Sequence, residues 1–151
     1  MSSFTASDSR FRAHLTLAVL TAIYALNFVD RQLLSVVLEP VKRELGASDT
    51  QMGLLTGTTF ALFYTFAGIP IARVADRSSR RTIVALGLGV WSAMTALTGS
   101  ARTFTQLALA RAGVGIGEAG CTPPAHSLIA DLYAPAQRAT AIAVYSSGIY
   151  V

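Results

Sequence analysis

The sequence predicts an all-α, polytopic membrane protein, and three observations carry that prediction. Hydrophobic residues make up 52% of the 151 residues and charged residues only 13%, against roughly 25% in soluble domains. The charges are clustered, so long apolar stretches run between them. Each stretch is close to the ~20 residues that a helix, rising about 1.5 Å per residue, needs to cross a bilayer core of about 30 Å.

Taken in order, residues 1–14 are polar and read as a cytoplasmic tail, with Arg10 and Arg12 ahead of the first apolar stretch. That stretch, about 15–38, exceeds the apolar core of about 7–15 residues of a signal peptide, so it reads as a retained first helix. Glu39-Pro40 closes it, because proline interrupts the hydrogen-bond ladder. The polar segment 41–51 offers Ser48 or Asp49 as a cap for a second helix at about 52–71. The basic run Ala72 to Arg81 follows, then a third helix at 82–100. A fourth is expected at 104–132, kinked or broken by Pro123 and Pro124. After a polar loop containing Pro135, a fifth apolar span covers 139–151. Those thirteen residues rise only about 20 Å, too little to cross, and the sequence is expected to be part of a longer chain.

Short basic loops are retained on the cytoplasmic side. With the N-terminus inside, that side holds Arg10, Arg12, Arg73, Arg77, Arg80, Arg81 and Arg138, and the other holds Lys42, Arg43 and Arg102. The expected location is therefore the cell membrane (the inner membrane in a Gram-negative cell), crossed several times, with the N-terminus cytoplasmic. Net charge is +4 and the pI about 9.7, but the basic residues form no stripe with interleaved aromatics, so no nucleic-acid partner is expected. The lone Cys121 has no metal-ligand companions. No catalytic set, metal cluster or nucleotide motif stands out; neither enzyme activity nor a cofactor is expected.

Ionisable residues within spans are costly and mark paired or water-lined positions. Four stand out: Asp30 and Arg31 in the first helix, Arg111 and Glu118 in the fourth. Helical spacing places Tyr24, Asn27, Asp30 and Arg31 in one sector, and Arg111, Gly115, Glu118 and Thr122 on another. Both faces are expected to turn inward. A carboxylate there, balanced between burial and a nearby arginine, is suited to gain and lose a proton; a structural ion pair that fixes helix register is the competing reading. Gly113 and Gly117 have the small-xxx-small spacing of close helix packing. Gly113, Gly115, Gly117 and Gly120 lack the preceding strand that a phosphate loop needs. His126, after the prolines, reads more readily as an interior hydrogen-bonded residue than as a proton relay.

These residues carry a resemblance. Ala72-Arg73-Val74-Ala75-Asp76-Arg77-Ser78-Ser79-Arg80-Arg81 resembles G-x-x-x-D-R-x-G-R-R, the loop signature of the major facilitator superfamily, with Ala72 and Ser79 in place of its glycines. Asn27-Phe28-Val29-Asp30-Arg31-Gln32 resembles the N-[FY]-x-D-R-Q pattern of spinster-like transporters, and Arg111 to Ala119 their R-x-x-x-G-x-G-E-A motif. Hexuronate-type anion–cation symporters carry similar stretches. The resemblance implies the partial N-terminal six-helix half of a proton-coupled, alternating-access secondary transporter. Its expected partners are a small organic or lipid-like anionic substrate, protons, the bilayer and a C-terminal half. By that resemblance Asp30, Arg31 and Glu118 would serve coupling and cavity electrostatics, and Asp76, Arg77 and Arg81 the gate; from their positions Arg111 is expected with the first set, Arg80 with the second, and Tyr24, Asn27, Thr122 and His126 in the cavity wall. A reading from another class is a non-transporting membrane remnant or interaction subunit.

Overall fold

The computed structural model describes residues 6–150, apart from the side chains of Ala6, Ser7 and Asp76. The helices are α1 (Ala6–Val36), α2 (Leu38–Leu45), α3 (Asp49–Gly53), α4 (Phe60–Arg77), α5 (Arg80–Gly99), α6 (Phe104–Ala119), α7 (Thr122–Leu132) and α8 (Pro135–Ser146). A π-helical turn, Leu54–Thr59, joins α3 to α4, and a 3-10 turn, Ser147–Tyr150, extends α8. No strand occurs among the described residues. Among the described residues, three helical runs are long and apolar enough to cross a membrane: Asp8–Val36, Asp49–Ala75 and Arg80–Gly99. Their outward faces carry bare apolar side chains such as Leu26, Phe66 and Leu86, which lipid rather than water would cover.

Several expected boundaries shift. The tail 1–14 is helical from Ala6, because nothing before Leu15 breaks the ladder. Pro40 does not stand outside a helix but in the first turn of α2, where the missing N–H costs nothing, so 41–51 is largely ordered. α2 ends at Gly46, which adopts φ 59°, ψ 31°, the left-handed conformation glycine accepts most readily. Ser48 caps α3 with a full capping box: its hydroxyl accepts from the Gln51 N–H, and the Gln51 side chain accepts from the Ser48 N–H. The second span thus starts at Asp49 rather than 52. It also runs past 71 to Arg77, so most of the expected basic loop is helix and only Ser78 and Ser79 form the turn.

The expected fourth helix is two. α6 stops at Ala119 and α7 starts at Thr122, so the break precedes the prolines. Pro123 and Pro124 sit in the first turn of α7, where their missing donors are not needed. The two remain one interrupted column, since α5 packs along both. The α5–α6 seam is close because it is built from glycine. A Cβ on Gly117 would stand 2.5 Å from the Trp91 backbone nitrogen, and one on Gly87 would stand 2.8 Å from the Gly117 carbonyl oxygen. The 3-10 turn after α8 lies against α1 in the same way, with Gly148 facing the Thr21 carbonyl.

Contacts between helix termini fix the directions. The start of α1 meets the end of α7 through His14 and Tyr133, whose ring nitrogen and hydroxyl are 3.1 Å apart. The start of α5 meets the same end through the Arg80–Asp131 ion pair. α1 and α6–α7 therefore run antiparallel. At the opposite end Ala47, Met52, Leu55 and Leu107 form a small core beneath α2.

Candidate functional site

α6 supplies the centre of the site. Arg111, Gly115 and Glu118 are all buried, and their shared face meets α1 and α4. Gly115 lets α4 approach: a Cβ there would be 3.2 Å from the Phe60 carbonyl oxygen. The π turn just before Phe60 rotates the helix as it reaches this contact, and such turns recur at functional sites. Phe60 and Tyr64, one turn apart and 5.9 Å between ring centroids, then cover the arginines. The Arg31 guanidinium lies 4.7 Å from the Phe60 ring centroid and that of Arg111 lies 5.8 Å from it, within cation–π range.

The four ionisable residues form two ion pairs. Arg31 donates from Nε to Glu118 Oε2 at 2.8 Å, with a second, shorter contact from its terminal nitrogen. Arg111 donates to Asp30 Oδ2 at 3.0 Å. The Asp30–Arg111 pair is nearly enclosed, at 12% and 4% side-chain exposure. The other is lopsided: Glu118 is fully buried while Arg31 is 42% exposed. Arg31 therefore stands at the mouth of the site, whereas its face was expected to turn fully inward. Among the described residues, three polar atoms in this region have no hydrogen-bond partner: Asn27 Nδ2, Arg111 Nε and Glu118 Oε1. Buried polar atoms are seldom left so, which suits a site that takes up water or a small polar ligand.

Three of the four residues expected in the cavity wall gather around Tyr145, which the sequence does not single out. Tyr24 stacks on Tyr145 at 4.7 Å, and His126 meets the same ring edge-on at 5.2 Å. The Thr122 side chain also reaches the Tyr145 hydroxyl. Asn27 is separate from this group and buried beside the ion pairs. His126 is exposed, not an interior hydrogen-bonded residue. Tyr145 lies in the short last span with Tyr150, where a tyrosine alone gives no positional signal.

At the Arg10 end of the bundle, Arg80 pairs with Asp131, while Arg77 and Arg81 are exposed. Arg80 and Arg81 line a cleft with Ser78, Ser79 and Asp131. Asp131 was not singled out from sequence because it is one acid in a polar loop. The expectation for the Asp76 side chain lies outside the described residues. No grouping of three or more His, Cys, Asp or Glu residues suits a metal ion among the described residues.

Residues 20–151 match the Major Facilitator Superfamily profile. The chain belongs to the Major Facilitator Superfamily. Within it, the chain is 44% identical, over 91% of its length, to an MFS-type efflux pump of Mycolicibacterium smegmatis. It is 36% identical over 83% of its length to a probable L-galactonate transporter of Escherichia coli, and 32% identical over 90% to protein spinster of Drosophila melanogaster. It spans 32%, 28% and 22% of those three proteins. It also superimposes, with a TM-score of 0.87 and 52% identity over 91% of its length, on a crystal structure of a bacterial homologue of the human lysosomal transporter Spinster in an inward-facing, unoccupied conformation, 29% of which it covers. The superfamily's helical architecture is thus shared across nearly the whole chain, and spinster-like proteins are among its relatives.

Proposed function

We propose that this chain forms part of a proton-coupled secondary transporter working by alternating access, and that the paired site between α1 and α6 is its coupling centre. The observation that carries the reading is the Arg31–Glu118 pair, in which a fully buried carboxylate is neutralised by an arginine 42% exposed. A guanidinium cannot lose its proton under ordinary conditions, whereas a carboxylic acid can hold one. When solvent or substrate draws Arg31 away, Glu118 is left in a buried site where its neutral form is favoured. Proton uptake then follows the opening of the site. Asp30 would play the second carboxylate role, held in register by Arg111.

The remaining assignments follow from this reading. The missing wall of the cavity would come from a second helical half, as in superfamily transporters with substrate bound between repeats. The end that carries Arg10, Arg77, Arg80 and Arg81 would face the cytoplasm across the cell membrane. Arg80 with Asp131, and Asp76, Arg77 and Arg81 beside them, would form the gate on that side. Tyr24, Asn27, Thr122, His126 and Tyr145 would line the substrate path. An anionic or amphipathic organic substrate is supported by the arginines at the site, and the likeness to the probable L-galactonate transporter favours a small sugar acid as a second reading. In proteoliposomes of the transporter carrying this chain, Glu118→Gln should abolish uptake driven by a pH gradient; uptake equal to wild type would remove Glu118 from the mechanism.

A further inference from the structure

We propose that the cleft between α1 and α8, at the Arg10 end of the bundle, binds the headgroup of an anionic phospholipid. The cleft encloses about 520 Å³. Arg10 and His14, one helical turn apart on α1, line its polar side with Gln137 and Thr140 of α8, and Leu17 and Val144 line its apolar side. No carboxylate lines it among the described residues, and neither Arg10 nor His14 takes part in the ion pairs there.

The wall is built rather than loose. His14 Nδ1 lies 3.1 Å from the Tyr133 hydroxyl, with the rings edge to face. Arg138 Nε donates to the Tyr133 carbonyl at 3.0 Å, which fixes the backbone from which that tyrosine projects. Guanidinium, imidazole, carboxamide and hydroxyl groups supply donors suited to phosphate oxygens. The lining turns from polar to apolar between His14 and Leu17, near the polar end of the α1 span. Tyrosine and arginine are placed at this depth in membrane proteins generally. A free phosphate ion would use only the polar half, whereas a phospholipid would use both, with its chain laid over Leu17 and Val144. Arg10 is about 30 Å along α1 from Asp30, so the proposal stands apart from the coupling centre.

The test is native mass spectrometry of the transporter carrying this chain, in detergent micelles with added phosphatidylglycerol, phosphatidylcholine or inorganic phosphate. Phosphatidylglycerol should be retained, phosphatidylcholine far less, and inorganic phosphate should not displace the lipid. Arg10→Gln should weaken phosphatidylglycerol binding about fivefold, the worth of one cation near a lipid surface. Val144→Trp, at a side chain 45% exposed and so tolerant of added volume, should weaken it by filling the apolar side without changing charge. Phosphatidylglycerol binding unchanged in both variants would overturn the proposal, as would equal retention of phosphatidylcholine. Displacement by inorganic phosphate, with Val144→Trp unaffected, would make this a free-anion site and would also overturn it.

Discussion

Asp30 and Arg31 are consecutive on α1, yet they pair with residues about two helical turns apart on α6, Arg111 and Glu118. Because the helices are antiparallel, the shorter connections would join Asp30 to Glu118 and Arg31 to Arg111, like charge to like. Opposite charge forces the pairs to cross. The crossing ties α1 to two levels of α6, so a shift of one helix along the other strains both pairs.

The two pairs should respond differently to loss of a partner. Asp30→Asn leaves Arg111 buried with a charge it cannot shed, and the expected cost is about 3–5 kcal/mol, as for other broken buried pairs. Arg31→Gln leaves Glu118, which can neutralise itself by taking a proton, so the loss should be smaller. Unfolding midpoints in detergent micelles check the order. The infrared carbonyl stretch of a protonated carboxyl should appear in Arg31→Gln and vanish in the Arg31→Gln, Glu118→Gln double variant.

The α5–α6 seam makes a steric prediction. Gly117→Ala should destabilise the bundle by about 1–3 kcal/mol, the usual cost of overpacking, because its new methyl group meets Trp91 backbone that cannot swing aside. Gly89→Ala, on α5 with nothing within 4 Å of the added carbon, should be neutral or slightly stabilising, since alanine favours helix. Thermal unfolding of the two variants side by side decides it; equal loss in both would mean the seam is looser than described.

Lys42, the only lysine in the sequence, holds Asp49 across the turn between α2 and α3. That hydrogen bond raises its pKa above the ordinary 10.5. A raised amine pKa contributes stability that is complete below the unfolded value and is lost as pH climbs through the folded one. The window therefore lies above pH 10.5. Acetylation rate against pH, read by mass spectrometry at this one side chain, should shift to lower pH in Asp49→Asn. An unchanged profile would contradict the pairing.

The architecture was legible because a bilayer admits few solutions: apolar runs of spanning length and clustered arginines leave helices as the reading. The ion-pair residues were legible for a related reason, since charge within a span is costly enough to single itself out. Which acid meets which arginine was not, because the crossing depends on helix direction and side-chain reach. Phe60 and Tyr64 were missed because aromatic residues in a span look alike whether they face lipid or an arginine. The break at Gly120 was placed too late because proline reads as a breaker wherever it stands, whereas here the prolines begin a helix. The basic run looks like a loop because Arg73 and Arg77 resemble turn residues, although nothing between Ile71 and Arg77 interrupts a helix. Asp131 became visible only when folding brought α7 against the start of α5.

The gate assignment separates stability from movement. The Arg80–Asp131 pair is part-exposed, at 30% and 57%, so Asp131→Asn should cost no more than about 1 kcal/mol of stability. If the pair holds one conformation of the transporter, the same change should alter transport rate far more than the unfolding midpoint. Rate and midpoint falling together would point to a structural role alone.

The most direct measurement is proton movement through the transporter carrying this chain, reconstituted in liposomes with a trapped pH-sensitive dye and driven by a gradient of L-galactonate or of a lysophospholipid. Wild type should move protons with the substrate it accepts. Glu118→Gln should abolish that proton movement while retaining exchange of substrate across the membrane. Proton movement in Glu118→Gln equal to wild type would contradict the coupling role of the buried carboxylate.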